Sequence, residues 1–357
     1  MTHLDRLAAR ALAENIPLSA LFELTGRCNL DCRHCYLDIR HPPRDELGTD
    51  EAFDVLRQLR AAGTLFLTLT GGEIFLRPDA LTIAAEARRL GFGVRLFTSG
   101  TRLGRAEADA IAGLGVLAVE LSLYSHRAAI HDAITRRPGS QHGTLRAAAM
   151  LRRRGVPVLL KAPLLDGAAG DFAGILALAS RIGAECKIDT SVITRRDGNL
   201  APAATRAAPE ALIEALRDPR VLPERALPAP APADRAPCAI ARRTCRIAPN
   251  GDVFPCSTFP IPAGNLRGTS FSELWRSSPL LAHLRSIRVG DLAPTCSGCD
   301  KSGYCGRCLA LSLLEHGDLL GPSDEACRVA EAKERALGVD RPRRERAGRR
   351  VRLPVIA

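Results

Sequence analysis

Aromatic side chains are scarce in this chain of 357 residues: phenylalanine, tyrosine and tryptophan together make up 4%. A groove on which nucleic-acid bases stack in succession needs more of them. No run approaches the ~18 consecutive apolar residues of a helical membrane span, which excludes that role. The first fifteen residues mix Asp5, Arg6, Arg10 and Glu14 among alanines and leucines. They lack the apolar block and small-residue cleavage site of a secretory signal. The expected setting is the cytoplasm, where disulfides are rare. The twelve cysteines therefore read as metal ligands or redox groups before they read as disulfides.

Net charge is +11, and part of it is local: Arg341 to Arg352 holds seven arginines against one glutamate. This run reads as a solvated tail, with a docking surface for an acidic peptide as the sharper alternative. Without aromatics or a recognisable module it does not argue for nucleic acid.

The chain divides into a lead (1–17), a strand–helix region (18–198), a Pro/Ala-rich linker (199–237), a cysteine-rich region (238–330) and a basic tail (331–357). In the second part, strands are expected at Leu18 to Thr25, Thr64 to Thr70, Phe92 to Thr98, Val116 to Leu123, Val156 to Ala162 and Ala184 to Val192. Helices are expected at Asp50 to Ala62, Pro78 to Leu90, Arg105 to Ala112, Thr144 to Arg154 and Asp171 to Ile182. In the first of these, Ala52, Val55, Leu56 and Leu59 share one face, and Gly63 ends it. Such alternation implies parallel pairing through right-handed crossovers. Periodicity leaves an open doubly wound sheet and an incomplete barrel both standing. The polar motifs sit where strands end, the rim that carries chemistry in barrels. The linker has eight prolines and one short helix, Pro209 to Arg217. Beyond it, apolar content looks too thin for an independent core, so metal is expected to staple that region.

Cys28, Cys32 and Cys35 have three and then two residues between them. One tight loop can turn three thiolates toward a common point, and three ligands leave a fourth position vacant, as reactive metal centres do. Three thiols could also be half of a zinc site, the lesser reading. The Cys-x3-Cys-x2-Cys motif resembles the loop of the radical S-adenosylmethionine (SAM) enzymes. That resemblance implies a [4Fe-4S] cluster on these cysteines with SAM on its fourth iron, in a partial (β/α)6 TIM-like barrel. His34 stands where relatives place an aromatic residue near the adenine. Gly71-Gly72-Glu73, after the second strand, is similar to the family's GGE motif, in which the glutamate grips the amino group of SAM. Ser99 follows the third strand and Ser122 ends the fourth; both match positions that contact SAM in relatives. Arg136 or Arg137 would pair the SAM carboxylate. Lys161 and Asp189 point from the fifth and sixth strands, with structural and ligand roles both open.

The later cysteines resemble the SPASM extension of certain radical SAM enzymes. Cys238 is followed by Gly251 and Cys256, then by Cys296-x2-Cys299-x5-Cys305-x2-Cys308 and finally Cys327. The family commonly has three residues, not two, in the last gap of the dense block. Cys245 supplies an eighth thiol, and eight suit two fully ligated [4Fe-4S] clusters. By resemblance, Cys238, Cys245, Cys256 and Cys308 would hold one auxiliary cluster, and Cys296, Cys299, Cys305 and Cys327 the other. Full ligation favours electron transfer over direct substrate binding. Cys-x2-Cys pairs are also a zinc-ribbon signature. Cys186 reads as a small buried residue.

The implied activity is reductive cleavage of SAM to a 5′-deoxyadenosyl radical that takes hydrogen from a peptide or protein. The leading expectation is maturation of a ribosomally made peptide by a thioether or carbon–carbon crosslink or a related oxidation. A separate leader-peptide-binding partner is expected, since residues 1–17 leave no room for such a domain. A flavodoxin- or ferredoxin-type donor would supply the electron. One rival is a sulfatase-maturing enzyme, weakened because Ser257 stands where those enzymes tend to have an aspartate. Another is oxidation of tetrapyrrole side chains, against which the low aromatic content speaks. A non-catalytic iron–sulfur or zinc scaffold would have no use for an open three-thiol loop beside Gly71-Gly72-Glu73.

Overall fold

β1 (Ser19–Glu23) lies inside a nine-stranded sheet in a computed structural model, which describes residues 2–223 and 231–338. The arginine run from Arg341 to Arg352 lies outside the described residues. On one side of β1 come β2 (Phe66–Thr70), β3 (Gly93–Thr98), β4 (Ala118–Ser122), β5 (Val158–Pro163) and β6 (Glu185–Asp189), all parallel. On its other side β7 (Thr244–Ile247) pairs parallel to it, followed by β8 (Asp252–Phe254) and β9 (Gly264–Asn265), both antiparallel. All six expected strands form, each starting one or two residues later than expected.

Side-chain alternation decides the shape. Ala20, Phe22, Leu67, Leu69, Val94, Leu96, Val119, Leu121 and Leu160 are buried together with the helix residues Val55, Leu56, Leu59, Ile83 and Leu151. Their odd-numbered neighbours on β1 and β3, and the matching positions on β2, β4, β5 and β6, face the other way and are more polar. Leu21 of β1 and Lys187 of β6 line one cavity although four strands separate them. The sheet therefore curls into a partial barrel with an apolar outer layer and a polar lumen.

Helix α1 (His3–Glu14) precedes β1, with Thr2 and Asp5 forming a capping box. α2 (Thr49–Ala61) buries Ala52, Val55, Leu56 and Leu59, the stripe its periodicity predicts. α3 (Ala80–Arg89) and α4 (Arg105–Leu114) follow their strands in turn. Between β4 and β5 the structure has two helices where one is expected: α5 (Ala128–Thr135) and α6 (Ser140–Arg153). Asp132 explains the early start of the second. Its carboxylate accepts from the Gly139 and Gln141 amides and from Ser140 Oγ, capping α6 from a distance. α7 (Phe172–Arg181) completes the barrel layer.

The cysteine-rich region has no core separate from the barrel's, in keeping with its thin apolar content; it shares the barrel's. Ile247, Val253, Phe259, Phe271, Trp275 and Leu281 belong to the same buried cluster as β1 and α2. Polar contacts fasten the join: Trp275 Nε1 donates to the Asn15 carbonyl (2.6 Å), and the Phe271 amide donates to Gln58 Oε1 (2.6 Å). α8 (Pro209–Arg217), in the proline-rich stretch, packs on the helix Asp324–Leu337.

Candidate functional site

The loop after β1 is built against the strand end of β2. The Gly72 amide donates to the Thr25 carbonyl (2.9 Å), and the Glu73 amide to the Arg27 carbonyl (2.8 Å). A Cβ on Gly71 or on Gly72 would stand 2.3 Å from the carbonyl oxygen of Thr25 or Arg27. Gly71 also has φ +152°. These glycines therefore let two backbones meet, and the partner is the cysteine loop itself. The loop is pinned elsewhere too. Asp31 and Arg33 donate their amides to the Thr135 and Ile134 carbonyls at the end of α5, and Thr25 Oγ1 donates to Glu46.

Cys28, Cys32 and Cys35 come together in this loop. Burial pushes the Cys28 thiol up to about 11, and Glu73 and Cys35 add to the shift. Burial raises Cys32 and Cys35 as well, with the Cys28 and Cys35 charges acting on Cys32. Three crowded, dehydrated thiols do not ionise unaided; a bound cationic centre would supply the missing compensation. Among the described residues, no three His, Cys, Asp or Glu side chains converge tightly enough to hold one metal ion. A four-iron cluster asks for something else, one thiolate per iron. Two buried polar atoms of the loop, Asn29 Oδ1 and His34 Nδ1, lack a hydrogen-bond partner among the described residues. The donor set and these orphaned atoms fit a cluster with a bound polar cosubstrate.

Glu73 is fully buried and heavily engaged. It accepts from Thr98 Oγ1 (2.5 Å), the Ser99 amide (2.9 Å), Ser99 Oγ (2.5 Å) and the Phe75 amide (3.3 Å). Glu73 and Ser99, two expected SAM contacts, thus form one unit. Ser122 reaches the Tyr124 hydroxyl, which also interacts with Cys32. His34 packs edge-on against Tyr124, ring centres 4.5 Å apart. Burial pushes His34 down to about 4, so it is neutral near pH 7. Arg136 has φ 54° and donates to Asp31 (2.9 Å), the residue before Cys32. Lys161 and Asp189 both face the lumen cavity.

The later cysteines fall into two groups. Cys238, Cys256 and Cys308 act on one another electrostatically, and burial pushes Cys238 up to about 11 and Cys308 to about 12. Their sulfurs accept backbone amides: Ile240 and Leu309 to Cys238, Thr258 and Phe259 to Cys256, Ala310 and Leu311 to Cys308. Cys296, Cys299, Cys305 and Cys327 form the other group. Cys245 joins neither, contrary to expectation. Its strand register pairs it with Ala20 on the helix-facing side of the sheet, in the apolar core. Only burial perturbs its thiol, and no amide donates to it. Cys186 is likewise on the helix-facing side, half-buried. The structure thus brings three of the four thiols expected in the first auxiliary group together.

Buried charged side chains beside the site that sequence reasoning did not single out are Glu23, Arg196 and Arg246. Glu23 holds Arg196 on one carboxylate oxygen and Arg246 on the other, the latter at 2.9 Å. All three are buried between the first cysteine loop and Cys256. Nothing local in the sequence marks residues 173 and 223 positions apart as partners.

The sequence profile of the radical SAM superfamily matches residues 22–171, and that of an iron–sulfur cluster-binding domain, SPASM, matches residues 238–300. The PqqA peptide cyclase of Xanthomonas campestris pv. campestris is 32% identical over 328 residues, covering 86% of this chain and 86% of its own. The AdoMet-dependent heme synthase of Methanosarcina barkeri is 26% identical over 333 residues, covering 86% of this chain and 95% of its own. Among solved structures, Streptococcus suis SuiB bound to precursor peptide SuiA superposes with a TM-score of 0.70. It covers 90% of this chain and 79% of its own at 16% identity, a likeness of fold.

Proposed function

Because the chain belongs to the radical SAM family and carries its SPASM extension, we propose that it matures a ribosomally made peptide by SAM-dependent hydrogen abstraction. The bond formed is a thioether or carbon–carbon crosslink or a related oxidation. The observation that supports this best is the joining of Cys28, Cys32 and Cys35 to Glu73 through Gly71 and Gly72 within one packed unit. The relative at 32% identity is a peptide cyclase, and the structural neighbour is bound to a precursor peptide.

In this proposal Cys28, Cys32 and Cys35 hold the [4Fe-4S] cluster, which when reduced supplies the electron that cleaves bound SAM. Glu73 receives the amino group of SAM. The Ser99 hydroxyl can make room, because Thr101 Oγ1 offers it a second partner at 2.8 Å. His34, neutral and packed on Tyr124, would face the adenine, and Arg136, now on Asp31, would be the partner for the carboxylate. The buried loop keeps water from the reacting centre. Cys238, Cys256 and Cys308 hold one auxiliary cluster; Cys296, Cys299, Cys305 and Cys327 hold the other.

Cys327 is exposed, which gives an external flavodoxin- or ferredoxin-type donor a point of approach. A separate protein that binds the substrate's leader belongs to the proposal. All twelve cysteines are free thiols, which suits a reducing cytoplasm. No described helix is long and apolar enough to cross a membrane. The test is anaerobic incubation of the reduced full-length protein with SAM. The expected product is 5′-deoxyadenosine, absent in Cys32→Ala. A protein that yields none would be a scaffold.

A further inference from the structure

The barrel lumen holds a cavity of about 310 Å³ whose charged wall has no role in the reading so far. Arg95 of β3, Lys161 of β5 and Lys187 of β6 face it, with Glu120 of β4 and Asp189 of β6. Three cations thus meet two carboxylates. Arg196 also borders the cavity, but Glu23 engages it and its charge acts on Cys35 and Cys256, so it is left out of this count.

The surplus sits at Glu120. This carboxylate is shared by Arg95 (2.9 Å) and Lys161 (3.6 Å), while Lys187 has Asp189 to itself (3.3 Å). Among the described residues, the Arg95 guanidinium makes one hydrogen bond, through Nη1. A guanidinium has five N–H donors and an ammonium three. Lys161 Nζ is held over the Phe97 ring, 4.2 Å from its centre, which fixes the ammonium at the wall. Phe97 directly precedes the Thr98-Ser99 pair bound to Glu73, so this wall adjoins the place assigned to SAM. A surplus cation inside a recess concentrates anions, and a planar carboxylate suits a guanidinium–ammonium pair.

Resting on the proposed peptide maturation, we propose that the lumen selects a substrate carboxylate, which docks between Arg95 and Lys161 and places the neighbouring carbon for hydrogen abstraction. The carboxylate comes from an acidic side chain or from a chain terminus. An abstraction site next to an acidic residue would follow.

The experiment uses the full-length, cluster-loaded protein under anaerobic conditions, first without SAM and then with saturating SAM. Three N-acetylated probes are compared by saturation-transfer NMR: Ala-Glu-Ala amide, Ala-Gln-Ala free acid and Ala-Gln-Ala amide. One of the two anionic probes is expected to bind at least about tenfold tighter than the neutral one, and which one identifies the source. That preference is expected to vanish in Lys161→Gln and to shrink in Arg95→Gln. Equal binding of all three, binding of none, or a preference that survives both substitutions overturns the proposal. So does displacement of the anionic probe by SAM, which would assign these cations to the cosubstrate. Wild-type 5′-deoxyadenosine formation without any peptide reports separately on SAM cleavage, so the two readings fail independently.

Discussion

The guanidinium of Arg196 lies 4.5 Å from the centre of the Tyr36 ring. Tyr36 follows Cys35, and beyond Arg196 stands Glu23 with Arg246, which covers the Phe254 ring at 3.6 Å two residues before Cys256. Two guanidiniums on one carboxylate therefore fill the space between the first cysteine loop and the first auxiliary group. Arg307 repeats the arrangement one step on. Its Nη1 is 3.5 Å from Cys296 Sγ, and its charge acts on Cys238. The Nε atoms of Arg196, Arg246 and Arg307 are all buried without a partner among the described residues. Buried positive charge alternates with the three thiol groups.

Arg196→Gln removes one of these charges. Breaking a buried pair by deleting one partner costs about 3 kcal/mol, toward the low end because Arg246 stays on Glu23. Reduction of the cluster on Cys28, Cys32 and Cys35 should become harder by an amount on the order of 50 mV. Arg196→Lys should recover most of it. Redox titration followed by electron paramagnetic resonance reads the potential, and thermal melting reads the stability. An unchanged potential in a destabilised variant would reduce Arg196 to a packing residue.

Cys245→Ala should keep its full iron and sulfide content and lose on the order of 1 kcal/mol from a shortened core side chain. Cys238→Ala should lose roughly four irons, the complement of one cluster. Iron and sulfide analysis of the two reconstituted variants decides between them. Equal loss in both would return Cys245 to the ligand set.

Metal-free and cluster-loaded protein should differ in alkali. Burial raises Cys28 and Cys238 to about 11 and Cys308 to about 12, above an unfolded value near 9. The fold thus favours the neutral thiol. That contribution is complete below pH 9 and is lost as pH rises through 11 to 12. The metal-free protein should melt progressively lower from pH 9 upward. The loaded protein should not share this loss, since ligated sulfurs are already thiolates. Thermal melts of both forms across pH 8–11 provide the comparison, and parallel curves would contradict it.

Gly71→Ala should destabilise the protein by at least about 3 kcal/mol, because strained backbone and a hard clash act together. Its φ is +152°, and the new Cβ would meet the Thr25 carbonyl at 2.3 Å. Gly91→Ala is the control. It has φ +84° but open space around it, so it should cost about 1 kcal/mol. Urea unfolding midpoints measure both, and comparable losses would mean that the close approach does not matter. Glu73→Gln should fold but bind SAM at least about tenfold more weakly, since its amide group would face the Ser99 donors. Equilibrium dialysis with SAM checks this.

Much of the site is local in the chain, and local features were legible. Cys28, Cys32 and Cys35 lie within eight residues, and a short loop leaves them little choice but to share a site. Gly71-Gly72-Glu73 sits at a strand end whose position follows from apolar periodicity. Helix α5 was missed, and α6 starts ahead of its expected bound because Asp132 caps it across an intervening turn, a bond that no capping box between neighbours announces. The region beyond Cys238 was read as too thin for a core of its own, but where its apolar residues go was not legible. Counting apolar residues in a segment does not reveal that Phe259 and Phe271 pack into the barrel's core.

Order along the chain, then, determined the alternating strands and helices, the first cysteine loop and the dense cysteine block, because each depends on spacing of a few residues. Only the folded chain decided which cysteines meet. Cys245 and Cys256 are near neighbours in sequence, yet a strand turns alternate side chains to opposite faces, and the pairing of β7 with β1 commits Cys245 to the apolar side. Contact between Glu23, Arg196 and Arg246 likewise depends on the curl of the sheet and the docking of β7, long-range events that bring buried charges together across most of the molecule.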